Sequence, residues 1–588
     1  MTIASILSFR SRLLALALGA ALLPPMLLGL TQDRPAPEAG SGRSEREAVR
    51  AQKYVVVTAN PLASKVGRDI LRLGGNAVDA AIAVQLVLGL VEPQSSGIGG
   101  GAFLVYYDAK TQKLHTYDGR ETAPAAAKPD RFLGKDGKPL QFYDAVVGGK
   151  SVGVPGTVRM LEMVHKKYGN LPWSQLFQPA IQLAEQGFPI SPRLHTLLSK
   201  EQYLPRLEPA RSYFYQPDST PKPVGTKLVN KPYAEVLRLI ARRSADGFYK
   251  GEIARDIVAT VTKAAIPGDL TTADLADYQA KEREPVCGAY RVYKICSMGP
   301  PSSGGLTVLQ ILGILQQFNL AALKPGSVEA VHLFSEAGRL AYADRGLYMA
   351  DADFVPVPIK ELINPEYLKR RATLIAPKRS MGEAKPGELS SRQVHNWGQD
   401  DSREFPSTSH LAIVDGFGNA VSMTSSIEDA FGSRLMVRGF LLNNELTDFS
   451  FSPIADGKPV ANRIEAGKRP RSSMAPTMVF DRKGKLVMVV GSAGGSRIIN
   501  YVAKALVAVL DWKLDSQQAI SLPNFGNRNA STELEAGTNL AELKPALEAM
   551  GHSVQVVEQT SGSQGILLTN QELLGGADPR REGVALGD

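Results

Sequence analysis

Residues 376–415 read APKRSMGEAKPGELSSRQVHNWGQDDSREFPS followed at once by Thr408-Ser-His-Leu-Ala-Ile-Val-Asp415. The first 32 residues lack any apolar periodicity and predict a long polar loop, and the last eight predict a strong strand. A structureless stretch this long inside a globular chain is functional or a processing site. Three readings of the junction compete. Thr408 is an edge-strand or loop residue; or His410 is the base of a Ser/His/Asp triad, for which no G-x-S-x-G elbow exists among the sequence's motifs. In the third reading the chain is cut before Thr408, whose new amine then acts as base for its own hydroxyl. That chemistry needs a cleavable loop, a hydroxyl residue directly after it, and a strand that holds the new terminus.

Working outward, strands recur after the junction: AVSMTSSI, FLLNN, and TMVFD and LVMVVG joined by an RKGK turn, then the helical IINYVAKALVAVLDW. Upstream, YVVVTA predicts a strand and PLASKVGRDILRLG a helix. Asn76-Ala-Val-Asp79 opens a second, Ala/Val/Leu-rich helix, and FLVYYD and LHTYDGRE predict a hairpin. The middle, about 155–375, reads mainly as amphipathic helices such as VHLFSEAGRLAYADR. Strands at both ends and helices between them give an α+β chain. Gly97-Ile-Gly-Gly-Gly101 precedes a strand instead of opening a helix, so it signals close backbone packing and not a dinucleotide fingerprint. Gly494-Gly495 falls between a strand and a helix. It reads equally as a helix-entry turn or as backbone N–H groups facing an oxyanion.

At 588 residues, with 44% apolar and 21% charged side chains, the chain is globular in composition. The net charge of +9 is spread thinly, without the clustered face that a nucleic-acid surface needs. Arg10 and Arg12 precede an uncharged Leu/Ala-rich stretch, so residues 1–30 read as a signal peptide or N-terminal anchor and 31–50 as a flexible linker. Export to the periplasm or beyond follows. The two cysteines, Cys287 and Cys296, flank a β-rich decapeptide. A hairpin centred on Arg291-Val292 would set them opposite each other as a disulfide, the alternative being two reduced thiols. No His lies near enough in sequence to suggest a metal site, and no cofactor is expected.

The ordered set GGNAVDAA, EPQSSGIGGGAF, YDGRETAP, SVGVPGT, YGNLPW, DGFY and PPSSGG, then TSH, LLNNELTDFS, KRPRSSMAPT, GSAGGSRI and ADPRREG, resembles the γ-glutamyltransferases of the N-terminal nucleophile hydrolase superfamily, from about Val55 to Gly587. The resemblance implies a four-layer αββα sandwich and a precursor cut between Ser407 and Thr408. The large subunit would be 51–407 and the small one 408–588, and the two would stay together. Thr408 would be the nucleophile, Ser426 a second hydroxyl beside it, and Gly494 and Gly495 the oxyanion hole. Arg120, Ser472 and Ser473 would hold the substrate's α-carboxylate. Asp448 and Glu445 would face its α-ammonium, together with Glu428, which replaces the family's usual Asn; Arg471 replaces its usual Leu. The implied substrates are glutathione and other γ-glutamyl compounds, with water, amino acids or dipeptides as acceptors. Two alternatives stand beside this one: a cephalosporin-type β-lactam acylase on the same scaffold, and an unprocessed binding protein without activity.

Overall fold

The structure, a computed structural model, describes residues 40–390, 396–400, 402, 404–405 and 407–588. The segment read as signal or anchor lies outside them. Two seven-stranded antiparallel sheets dominate the chain. The first runs Val584–Gly587, Val55–Thr58, Thr408–Val414, Ala420–Ser426, Gly101–Asp108, Lys113–Gly119, Lys281–Arg283. The second runs Val49–Ala51, Leu573–Ala577, Gln564–Leu568, Leu486–Gly491, Thr477–Phe480, Tyr293–Ser297, Val286–Tyr290.

The two-residue period of a strand sorts the side chains into layers. Val55, Val57, Ala412, Val414, Met478 and Val489 meet between the sheets. Val56, Leu411 and Ile413 face the opposite way, into a core with the helix Ala77–Val91. Val479, Met488 and Val490 pack outward from the second sheet against Gly304–Leu315 and Ile498–Leu510. The result is helix, sheet, sheet, helix: the expected αββα sandwich. Every residue of Thr408–Val414 is buried, as a strand covered on both faces must be.

Local signals act where the sequence places them. Asn76 caps the helix Ala77–Val91 and closes a capping box with Asp79. The strands Val286–Tyr290 and Tyr293–Ser297 turn at Arg291-Val292, Cys287 stands opposite Cys296, and the two sulfurs are bonded. The Gly97–Gly101 stretch is a place of close backbone approach: a Cβ on Gly100 would lie 2.1 Å from the Ser426 carbonyl oxygen.

Two expectations need correction. Within residues 31–50, the chain from Ser41 onward is no free linker. Ser41 N donates to Arg580 O at 2.9 Å, Arg46 donates to the Arg581 and Gly583 carbonyls, and Val49–Ala51 is the edge strand of the second sheet. Polar composition suggested a solvated tether, but these polar groups serve backbone carbonyls of the last residues. The helix Val328–Tyr348 is not amphipathic in effect either. It is buried on nearly all sides, and its charges are paired inside the protein, Asp344 with Arg371 and Arg345 with Glu404.

Candidate active site

Antiparallel register builds the site at one end of the first sheet. Thr408 pairs with Ser426, and Ser426 with Gly101 on the next strand. Arg120 follows the adjacent strand end at Gly119. The strand Leu486–Gly491 of the second sheet ends nearby and leads into Gly494 and Gly495, with φ of 132° and 56°, a backbone that favours glycine. The turn then enters the helix Ile498–Leu510.

The geometry around the Ser407–Thr408 bond is specific. Ser426 Oγ donates to the Ser407 carbonyl oxygen at 2.9 Å and accepts from Glu428 N at 2.8 Å. The hydroxyl proton is therefore committed to the Ser407 carbonyl. Ser407 Oγ donates to Gln94 O, and Arg581 Nη1 donates to Thr408 O at 3.1 Å, so both residues of the bond are held by other parts of the fold. Thr408 is 3% exposed. Glu404 and Phe405 pass so close over Gly495 that a Cβ there would lie 2.7 Å from the Phe405 carbonyl. The pocket lined by Arg120, Thr408, Ser426, Asp448, Ser473 and Gly495 retains only about 20 Å³ of space, room for a single water.

Beside Thr408 lies a dense buried charge cluster. Arg120 pairs with Glu445 and, at 2.5 Å, with Asp448, and donates further to the carbonyls of Pro470 and Arg471. Asn443 fixes Glu445 by accepting its backbone N–H at 3.0 Å while donating to Gly99 and Gly153. Asn462 holds the Asp448 carbonyl at 2.8 Å. Glu428 accepts from Asn444 Nδ2 at 2.7 Å and from Phe405 N at 3.3 Å. Ser473 Oγ donates to Glu404 and receives Arg345 Nη2, whereas Ser472 Oγ accepts from Met474 N within its own turn.

The acids outnumber what the cations can neutralise. Burial raises Glu428 well above the usual carboxylate range, and Asp448, Asp429 and Glu445 add repulsion. Burial raises Asp448 likewise, with Arg120 opposing and Glu404 and Glu445 reinforcing. Burial works against the charge on Arg120, but Glu445 and Asp448 outweigh it and the guanidinium titrates above its ordinary value. Glu404 goes the other way: burial raises it, and Arg345, Arg471 and Ser473 more than reverse that. Glu121, unremarked in the sequence, finds no hydrogen-bond donor among the described residues. Burial and then the neighbouring Glu445 push its carboxyl well above the usual range.

The structure thus brings together Thr408, Ser407, Ser426, Glu428, Glu445, Asp448, Arg120, Ser472, Ser473, Gly494 and Gly495. It turns the Ser472 hydroxyl toward its own loop, and sets Cys287 and Cys296 apart from the site on the far strands of the second sheet. Sequence reading missed Arg345 and Glu404. Their pairing across 59 positions has no local signature; the only hint was a charged residue on a helix with little polar face.

The γ-glutamyltranspeptidase family model matches residues 63–588. The glutathione hydrolase proenzyme of Bacillus subtilis (strain 168) is 38% identical over 91% of this chain and 91% of its own length. The acylase ACY 1 proenzyme of Pseudomonas sp. (strain V22) is 33% identical over 94% and 96%. The crystal structure of cephalosporin acylase from Bacillus halodurans superposes with a TM-score of 0.81 at 28% identity, covering 94% of this chain and 99% of that one. With motif order and sandwich in agreement, the chain belongs to the γ-glutamyltranspeptidase family of enzymes.

Proposed function

We propose that this chain is an autoprocessing γ-glutamyltransferase and glutathione hydrolase. The observation that carries the reading is the hydroxyl of Ser426 on the Ser407 carbonyl, one residue before a threonine that heads a fully buried strand. Thr408 Oγ attacks the Ser407 carbonyl carbon, the 407–408 C–N bond breaks, and the acyl group moves from nitrogen to oxygen. Water hydrolyses the resulting ester, leaving a carboxylate on Ser407 and a free amine on Thr408. The large subunit then ends at 407 and the small subunit begins at 408.

In the cut enzyme the Thr408 amine takes the proton of Thr408 Oγ as that oxygen attacks the γ-carbonyl of a γ-glutamyl amide. Backbone N–H groups at Gly494 and Gly495 stabilise the oxyanion, a contribution of about 3 kcal/mol per donor in comparable sites. The amine leaving group takes up the proton, and a γ-glutamyl ester remains on Thr408. Water releases glutamate from that ester, or the amine of an amino acid or dipeptide takes the γ-glutamyl group. Asp448, Glu445 and Glu428 suit the donor's α-ammonium. Arg10 and Arg12 ahead of an uncharged, Leu/Ala-rich stretch support export, with glutathione as an extracytoplasmic donor.

A second reading, a β-lactam side-chain acylase, is favoured by the acylase relative and the cephalosporin acylase structure. Such donors need carry no ammonium, and Glu445 Oε2 and Asp448 Oδ1 would then stay without a donor. Release of a chromogenic anilide separates the two: γ-glutamyl anilide turned over faster than glutaryl anilide supports the transferase, and the reverse order supports the acylase. A protein that stays a single chain on a denaturing gel and turns over neither is the inactive binding protein.

A further inference from the structure

A buried cation that is no part of the pocket lining reaches Thr408. Arg581, 1% exposed, lies in the last loop of the chain, between the strands Leu573–Ala577 and Val584–Gly587. Its guanidinium touches three backbone carbonyls: Nη1 donates to Thr408 O at 3.1 Å, Nε to Ser561 O at 2.8 Å and Nη2 to Thr560 O at 3.1 Å. Gly562 makes room for it, because a Cβ there would lie 2.8 Å from Arg581 Cζ. The backbone is fixed as well, since Arg581 N donates to Asp578 O at 3.3 Å and Arg581 O accepts from Arg46 Nη2 at 2.8 Å. Three carbonyls, a glycine cradle and a pinned backbone hold the charge at one point.

That point acquires a use once the chain is cut, so the inference rests on the proposed function. In the precursor the Thr408 nitrogen is an amide, which does not titrate. After the cut it is an α-amine, three covalent bonds from the carbonyl oxygen that Arg581 touches. An ordinary α-amine titrates at about 7.7–8.0, so at neutral pH it is mostly ammonium and unable to accept a proton. A guanidinium is a permanent cation, and fixed this near, away from water, it disfavours the ammonium form.

The other charges around Thr408 act differently. On the pocket side Arg120 is paired with Glu445 and Asp448, and Glu404 with Arg345. Glu428, also there, is held well above the usual carboxylate range by burial. These acids, where charged, pull the amine toward ammonium, and Arg581 opposes them. His410, on the same strand as Thr408, is neutral, since burial lowers it to about 3. Behind Arg581, Glu92 receives Arg193 Nη1, and Glu582 accepts from Arg193 N at 2.8 Å. Arg580 is shared between Asp578 and Glu535.

We propose that Arg581 is a positioning residue for the reaction: its fixed charge keeps the freed Thr408 amine neutral and able to take the Oγ proton, and its hydrogen bond holds the Thr408 carbonyl.

The test is the pH profile of kcat/KM for γ-glutamyl p-nitroanilide, whose acid limb reports the base of the free enzyme. R581Q removes the charge and leaves an amide donor, and its limb should move up by about one pH unit or more from that of cut wild-type enzyme. R581K keeps the charge and should stay within about half a unit of wild type. A limb that stays in place in R581Q, or moves as far in R581K, overturns the proposal, because lost packing alone lowers the plateau without shifting the limb. A second measurement needs neither turnover nor a variant. Cyanate carbamylates neutral amines, and peptide masses of cut wild-type enzyme treated across a pH series give the titration of the Thr408 amine. A midpoint clearly below the ordinary value of about 7.7–8.0 supports the proposal, and one at or above it overturns the proposal, whether or not R581Q cuts. If the enzyme is cut but turns over no γ-glutamyl anilide, the donor reading fails and the cyanate titration still decides the role of Arg581. A chain never cut before Thr408 refutes the proposed function and this inference with it.

Discussion

Two buried polar clusters span the two halves of this chain, and they are built differently. One is the site cluster around Arg120, Glu445, Asp448 and Glu428. The other joins Thr532, His552, His332 and Glu336. In the second, every ring nitrogen and carboxylate oxygen is matched. Thr532 Oγ1 lies 2.9 Å from His552 Nδ1, His552 Nε2 lies 2.8 Å from His332 Nδ1, and His332 Nε2 lies 2.8 Å from the Ala376 carbonyl. Glu336 receives Arg339 Nε, Ser380 Oγ and Met381 N. Since His332 Nε2 must donate to a carbonyl, its Nδ1 accepts, and the tautomers follow along the chain. In the site cluster, Glu445 Oε2, Asp448 Oδ1 and both Glu121 oxygens lack donors among the described residues, and burial holds Asp448 and Glu121 well above the usual carboxylate range. A polar network that only supports the fold is closed. Open valences and crowded like charges are tolerated where a ligand completes them.

Breaking each cluster should therefore give opposite signatures. Thr408→Ala has the largest effect: no conversion to two subunits on a denaturing gel, and turnover lower by about 10⁴-fold or more. A Thr408→Ala protein that still splits refutes the nucleophile. Ser426→Ala removes the donor on the Ser407 carbonyl and should slow precursor conversion about 10²–10³-fold, read as band intensity against time. Asp448→Asn should raise KM for γ-glutamyl anilide far more than for glutaryl anilide; equal changes would remove Asp448 from ammonium recognition. His552→Phe opens the closed cluster, costing about 1–3 kcal/mol in denaturant unfolding while kcat stays within about twofold.

The smallest effect is on pH. Burial, then His332 and Arg339, lower His552 to about 4 from an ordinary 6.5. The unfolded chain therefore binds the extra proton first. The stability contributed by neutral His552 is intact above about pH 6.5 and lost progressively as pH falls toward 4. His552→Phe should flatten this part of the stability profile, and an unchanged slope would exclude His552 as its source.

Much of this was legible in the sequence because it is local. The Arg291-Val292 turn, the Asn76–Asp79 capping box and the polar-to-strand junction at Thr408 each lie within a short window. The residues proposed for catalysis were placed through family motifs, which carry Thr408, Ser426 and the two glycines by position. Charge pairing was not. Glu404 reads as one more acid in a polar loop, and Arg345 as a solvated residue on an amphipathic helix, until folding places their charged groups in contact. The segment after Ser41 failed for the same reason, since its carbonyl partners lie from 478 to 537 positions away.

The most direct test of the central claim is N-terminal sequencing and intact mass of the smaller fragment from active enzyme. The account predicts a fragment that begins at Thr408 and gains a γ-glutamyl mass, held on its first residue, when trapped with donor. Active enzyme whose chain is still continuous from Ser407 into Thr408, or an adduct on any other residue, would contradict it.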